Sequence, residues 1–235
     1  MQIKPYTLLV LMMLALILSG CSEDVNIFSI EDDKELGAQL EQEILNNPQE
    51  YPVLEESQYP EAYAYLDAMG QDVLAAEDVR YRNEFDWEFY IINQDVLNAF
   101  AAPGGKLFLY TGLIKFLDRP SALAGVVGHE IAHADRRHST EQMTKVYGLQ
   151  TLLSVVTGNE DPGLISNIAA SLLSLKFSRD DETEADEFSV EYLCESSYKG
   201  AGAAEFFQKL EEENQGGTPP EFLSTHPSPD NRVDN

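Results

Sequence analysis

Two periods of apolar and polar positions alternate along this chain, and the changes of period mark its elements. Ser29-Ile30-Glu31-Asp32 has the form of a capping box. Leu36, Leu40 and Ile44 then recur at helical spacing until Asn46-Asn47-Pro48 stops the run. Leu66, Met69 and Val73 predict a second helix. Around Trp87, Phe89 and Ile91 the apolar residues alternate with Glu88 and Tyr90, the period of a strand. Phe100 leads into the turn signal Pro103-Gly104-Gly105, and Lys106 to Tyr110 reads as a second strand. The pair suggests a hairpin or a small sheet edge. From Ser121 the period is helical again. Leu123, Val126, Val127 and Ile131 mark a buried helix, with Pro120 at its first turn where a missing N–H costs nothing. An apolar helix is expected from Leu164 to Leu175, and another from an N-cap at Asp180 through Phe188 and Tyr192. Gly200 and Gly202 break the chain before a last helix over Phe206 to Leu210, and residues 216–235 read as loop. The sum is an α+β fold, predominantly helical, with a small β-sheet.

Length and charge narrow this picture. The 235 residues suffice for one sizeable core, and residues 31–235 are expected to form a single domain. Asp and Glu number 41 against 15 Lys and Arg, a net charge of −26. Such a surface repels phosphate backbones, so nucleic acid is excluded as a partner. At the start, Lys4 precedes an uncharged apolar run from Leu8 to Leu18 that ends in Leu18-Ser19-Gly20-Cys21. The run is short for a membrane span. It resembles a bacterial lipoprotein signal, with residues 1–20 as signal peptide, Cys21 lipidated and residues 21–30 a tether to a membrane outside the cytoplasm. Ser22 resembles outer-membrane sorting toward the periplasm, while Ser22-Glu23-Asp24 also resembles a surface-export signal; both stay open. With Cys21 acylated, Cys194 has no disulfide partner and is expected to be a buried small hydrophobe.

The candidate chemistry centres on His129-Glu130-Ile131-Ala132-His133. Helical residues four apart share a face, so both imidazoles can reach one ion, and Glu130 projects beside it as a base for a water proton. Zinc needs a third protein ligand. His138 lies five residues past His133, about 500° around a continuous helix, which takes it off the ligand face. It reads as a residue supporting the ligands or as helix surface. The best remaining donor lies in Ser178-Arg179-Asp180-Asp181-Glu182-Thr183-Glu184-Ala185-Asp186. There Glu182 and Asp186 share a face and Glu184 points roughly the other way. Glu182 as ligand with Asp186 behind it competes with the reading of a solvated acidic helix start.

The order of these blocks resembles the CAAX prenyl protease and HtpX-like zinc metallopeptidases, in particular their periplasmic lipoprotein branch. The resemblance rests on H-E-x-x-H, on S-R-x-x-E-x-E-A-D some fifty residues later, on Asn98 to Gly105 with Thr111-Gly112-Leu113, and on Thr225-His226-Pro227 with Arg232. It implies one zinc ion held by His129, His133 and Glu182, with Glu130 as general base and Asp186 as a supporting acid or a group behind the ligands. His226 would approach the metal, stabilising an oxyanion or filling the open position at rest. The implied activity is an endopeptidase acting on unfolded or misassembled envelope polypeptides. The alternative is a latent or non-catalytic assembly lipoprotein capped by His226. The Leu107 to Tyr110 strand is a candidate to pair with an extended substrate, or is simply structural.

Overall fold

A computed structural model describes Asn26 and residues 28–159, 163–172, 174–213 and 221–227. The apolar run from Leu8 to Leu18, Cys21 and Arg232 lie outside the described residues. Among the described residues no helix is long and apolar enough to cross a membrane.

Helix α1 spans Ile30–Leu45 and starts as its sequence predicts. Ser29 Oγ accepts from the Asp32 N–H at 3.1 Å, and the Asp32 carboxylate accepts from the Ser29 N–H at 2.8 Å. The acidic first turn also suits the helix dipole. Helix α2 spans Pro60–Leu74 and buries Leu66, Met69 and Val73. Three strands follow: β1 Glu88–Ile92, β2 Ala99–Ala102 and β3 Lys106–Tyr110. Then come α3 Thr111–Phe116, α4 Pro120–Asp135, α5 His138–Tyr147, α6 Leu149–Val156, α7 Leu164–Leu172, α8 Arg179–Glu195, α9 Gly202–Glu213 and α10 Glu221–Thr225. The α+β, mostly helical expectation holds.

Of the two arrangements the sequence left open for this pair, a hairpin or a small sheet edge, the structure has the second. The sheet order is β1-β3-β2. The strand around Phe89 pairs with β3 in parallel, from Glu88↔Lys106 to Ile92↔Tyr110. The hairpin partner of β3 is instead β2, a short Ala-Phe-Ala-Ala run too lacking in alternation to announce itself. The Pro103–Gly105 turn joins β2 to β3 with φ of 71° at Gly104 and 90° at Gly105, values only glycine adopts at low cost. Both edges of β3 are thus occupied along its length, which overturns the expectation that Leu107 to Tyr110 pairs with a substrate backbone.

Alternate strand residues face two cores. Phe100, Phe108 and Tyr110 join Leu36, Leu40 and Ile44 of α1 with Leu152 of α6 and Ile168 of α7. Leu107, Leu109 and Ile91 join Met69 of α2, Val127 and Ile131 of α4, Tyr192 of α8 and Phe206 of α9. Helix α4 is apolar nearly all round, and every residue from Ala122 to Asp135 is buried. Its crossing with α8 is close: Ser189 Oγ donates to the Gly125 carbonyl at 3.0 Å, and a Cβ on Gly128 would meet that same Oγ at 3.0 Å.

Four further expectations are corrected. The N-cap of α8 is Ser178, not Asp180, because Ser178 and Asp181 form the same reciprocal capping box as Ser29 and Asp32. Cys194 is exposed, since α8 buries Tyr192 and Leu193 and turns the next residue outward. The apolar helix of residues 164–172 ends short of Leu175. The C-terminal stretch read as loop contains α10.

Candidate metal centre

Four side chains from three parts of the chain meet where α4, α8 and the end of α10 converge. His129 and His133 come from successive turns of α4, Glu182 from the first turns of α8, and His226 follows α10; all four are buried. His133 Nε2 lies 3.0 Å from His129 Nε2. Glu182 carboxylate oxygens lie 3.5 Å from each of those nitrogens. His226 Nδ1 is 3.0 Å from Glu182 Oε1 and 3.3 Å from His129 Nε2.

These separations fit a metal. Ligand atoms about 2.0–2.1 Å from a tetrahedral zinc stand roughly 3.3–3.4 Å apart. The chemistry of the donor set points the same way. Asp186 Oδ1 stands 2.9 Å from His129 Nδ1, which keeps a proton on that nitrogen and turns the Nε2 lone pair inward. A lone pair, a second ring nitrogen and a carboxylate then converge on one point that calls for positive charge. Burial opposes charge on His129, but Asp186 and Glu182 outweigh it and push the ring up to about 9. Burial likewise opposes ionisation of Glu182, yet His226, His129 and His133 hold its carboxyl well below the usual range. Burial drives His133 well below its ordinary value.

Glu130 is fully buried beside this cluster, with Oε1 3.5 Å from His226 Nε2. The two nitrogens of His226 therefore face different partners, Nδ1 the donor cluster and Nε2 the Glu130 carboxylate. The ring is placed by α10. Phe222 N–H donates to the Leu97 carbonyl at 3.0 Å, His226 N–H donates to the Phe222 carbonyl at 2.8 Å, and the Phe222 ring stacks on His226 at 4.3 Å between centroids. Phe177 stacks on His133 at 4.0 Å.

The structure thus brings together all six residues singled out in the sequence: His129, Glu130, His133, Glu182, Asp186 and His226. It also recruits two residues the sequence reading passed over, and it buries His138 beside His133. Phe177 and Phe222 wall the rings, and the only local hint of Phe177 was an apolar residue just before a capping box. His138 is buried with Nδ1 3.0 Å from His133 Nδ1. Its Nε2 is 3.3 Å from Glu184 Oε2, and that contact holds the Glu184 carboxyl below its ordinary value.

The chain is 35% identical over 142 residues to the mitochondrial metalloendopeptidase OMA1 of Arabidopsis thaliana, covering 60% of this chain and 29% of that protein. It is 32% identical over 183 residues to the beta-barrel assembly-enhancing protease of Yersinia pestis, covering 72% of this chain and 37% of that one. With the OMA1 of Schizosaccharomyces pombe the identity is 30% over 154 residues, 64% of this chain and 46% of the relative. The chain thus spans less than half the length of these relatives. The model of peptidase family M48 matches residues 60–235, which include the whole donor cluster, and the chain belongs to that family.

Proposed function

We propose that the chain is a zinc-dependent endopeptidase of the bacterial cell envelope that hydrolyses unfolded or misassembled polypeptides. The observation that carries this reading is the convergence of His129, His133, Glu182 and His226 at 3.0–3.5 Å with the Glu130 carboxylate alongside. Zinc bound there supplies a Lewis acid for a scissile carbonyl and for water. His129, His133 and Glu182 would hold the ion. Glu130, enclosed away from solvent, takes a proton from the attacking water and delivers it to the departing amine. Asp186 keeps the His129 proton on Nδ1, so that Nε2 remains a donor. His226, whose ring borders the donor cluster, would close off the ion at rest and, once moved away, would aim an N–H at the carbonyl oxygen as it gains charge.

The envelope assignment draws on the lipoprotein-like start, with Cys21 as the lipid anchor and residues 31–235 as one peptidase domain. The substrate assignment draws on the relative named a beta-barrel assembly-enhancing protease. The test is cleavage of an unfolded protein such as casein, with metal content measured on the same sample. Expected are one zinc per chain and cleavage abolished by Glu130→Gln with zinc retained. Equal cleavage by that variant would end the peptidase reading.

The position of His226 favours one second reading, a latent or non-catalytic assembly factor. Zinc at full occupancy without cleavage, in wild type and His226→Ala alike, would select it.

A further inference from the structure

We propose that His138 and Glu184 form an outer relay that fixes the proton of His133 on Nδ1 and thereby sets the affinity of the metal centre; the inference rests on the zinc reading above. Two ring nitrogens 3.0 Å apart, His138 Nδ1 and His133 Nδ1, share a single proton. If His133 offers its Nε2 lone pair to a cation, that proton belongs to His133, and His138 Nδ1 accepts it. Neutral His138 then carries its own proton on Nε2, the nitrogen that faces Glu184 Oε2 at 3.3 Å. Every position in the chain Glu184–His138–His133 has one consistent assignment. The reverse assignment would place the His133 proton on Nε2, aimed at His129 Nε2 and the Glu182 carboxylate, and would close the site to a metal.

The relay is a product of the backbone. On a continuous helix His138 would sit far round from His133, but α4 ends at Asp135 and Arg137 takes a left-handed conformation, φ 65° and ψ 25°. Helix α5 then begins at His138, which is turned back under His133. Arg137 is held in this conformation from α1: its guanidinium donates to Asp33 and to the carbonyls of Phe28 and Ser29. His138 and His133 are both buried, so no bulk water stands ready to replace the contact, whereas the Glu184 side chain is 44% exposed. His138 is therefore a positioning residue, and Glu184 is the hydrated end of its chain.

The experiment is chelator competition for zinc on the full chain, joined to imidazole 15N NMR of the zinc-loaded protein. His138→Leu is expected to weaken zinc binding by roughly 10–100-fold. His138→Gln, whose amide oxygen can accept the His133 proton, is expected to restore most of that loss. Glu184→Ala, a partly exposed site, is expected to weaken zinc by a smaller factor without disturbing the fold. The spectrum should show His133 protonated at Nδ1 and His138 at Nε2. Wild-type affinity in His138→Leu, or a His138 proton on Nδ1, overturns the relay. If His138→Leu does not fold, Glu184→Ala and the spectrum decide alone. Tight zinc in wild type and loss in Glu182→Ala, beside an unchanged His138→Leu, removes the relay and leaves the peptidase reading standing. A wild-type chain that takes up no zinc removes both.

Discussion

His226 Nδ1 stands 3.0 Å from Glu182 Oε1, so a ring 44 residues away in sequence joins the donor cluster. If the proposed resting state holds, with the ring closing the site, turnover occurs only in the fraction of molecules where that ring has moved away. Removing the ring while leaving His129, His133 and Glu182 should therefore raise activity. His226→Ala is expected to cleave unfolded casein roughly tenfold faster, as a site open about a tenth of the time would require. Zinc should stay bound, though less tightly. A slower variant with zinc retained would show that the ring acts mainly on the oxyanion.

The parts of this site that obey a local period were legible in the sequence. His129 and His133 are one turn apart on a helix whose other faces are apolar, and Glu182 and Asp186 repeat that spacing on α8. Their roles separate only in space, with Glu182 on the donor cluster and Asp186 behind His129. His138 was read as a residue supporting the ligands or as helix surface, and the structure selects the first, by a route the period does not carry: the helix breaks at Arg137 and returns His138 to His133. Strand β2 was missed since Ala99–Ala102 is buried at every position and shows no alternation. The Ser178 cap was legible and overlooked, for Ser178 and Asp181 repeat the spacing of Ser29 and Asp32. That the strand around Phe89 lies parallel to β3 depends on what surrounds the sheet, which no local pattern carries.

The Arg137 junction offers a comparison of two variants at one position. The side chain neutralises Asp33, which is almost wholly buried, and its backbone is left-handed. Losing the guanidinium strands a buried carboxylate, a loss of about 3 kcal/mol or more. A left-handed backbone costs a residue with a Cβ roughly 1–2 kcal/mol more than it costs glycine. Both Arg137→Ala and Arg137→Gly should be destabilised in urea unfolding, with Ala the less stable by about 1 kcal/mol. Equal stabilities would mean that α4 and α5 do not need this backbone conformation.

Close approach between α9 and α4 leaves no room at Gly202. A Cβ there would lie 2.0 Å from the Ser121 carbonyl oxygen, a backbone atom that cannot rotate away. Gly202→Ala should force α9 off the start of α4, at a cost of roughly 1–3 kcal/mol in unfolding free energy. Because the shift begins at Ser121, two turns before His129, zinc affinity should fall with it. A variant of unchanged melting temperature would show that α9 can slide without penalty.

The same α9–α4 contact should be sensitive to acid. Glu205 accepts from Ser121 Oγ at 2.6 Å and from Arg119 Nη1 at 3.1 Å. The Ser121 hydrogen bond, then Arg119, hold its carboxyl below the ordinary 4.5, with burial opposing them. A carboxyl lowered in the folded state contributes stability that is fully present above its unfolded value. That contribution is lost as pH falls through the folded value. The gap in unfolding free energy between wild type and Glu205→Gln should therefore be constant from about pH 6 upward. It should shrink once pH drops below 4.5 and close at more acid pH. Urea unfolding of both proteins across this range measures the gap directly. A gap that widened toward acid would mean that Glu205 is easier to protonate in the fold than out of it, and that the Ser121 and Arg119 contacts do not hold α9 in solution.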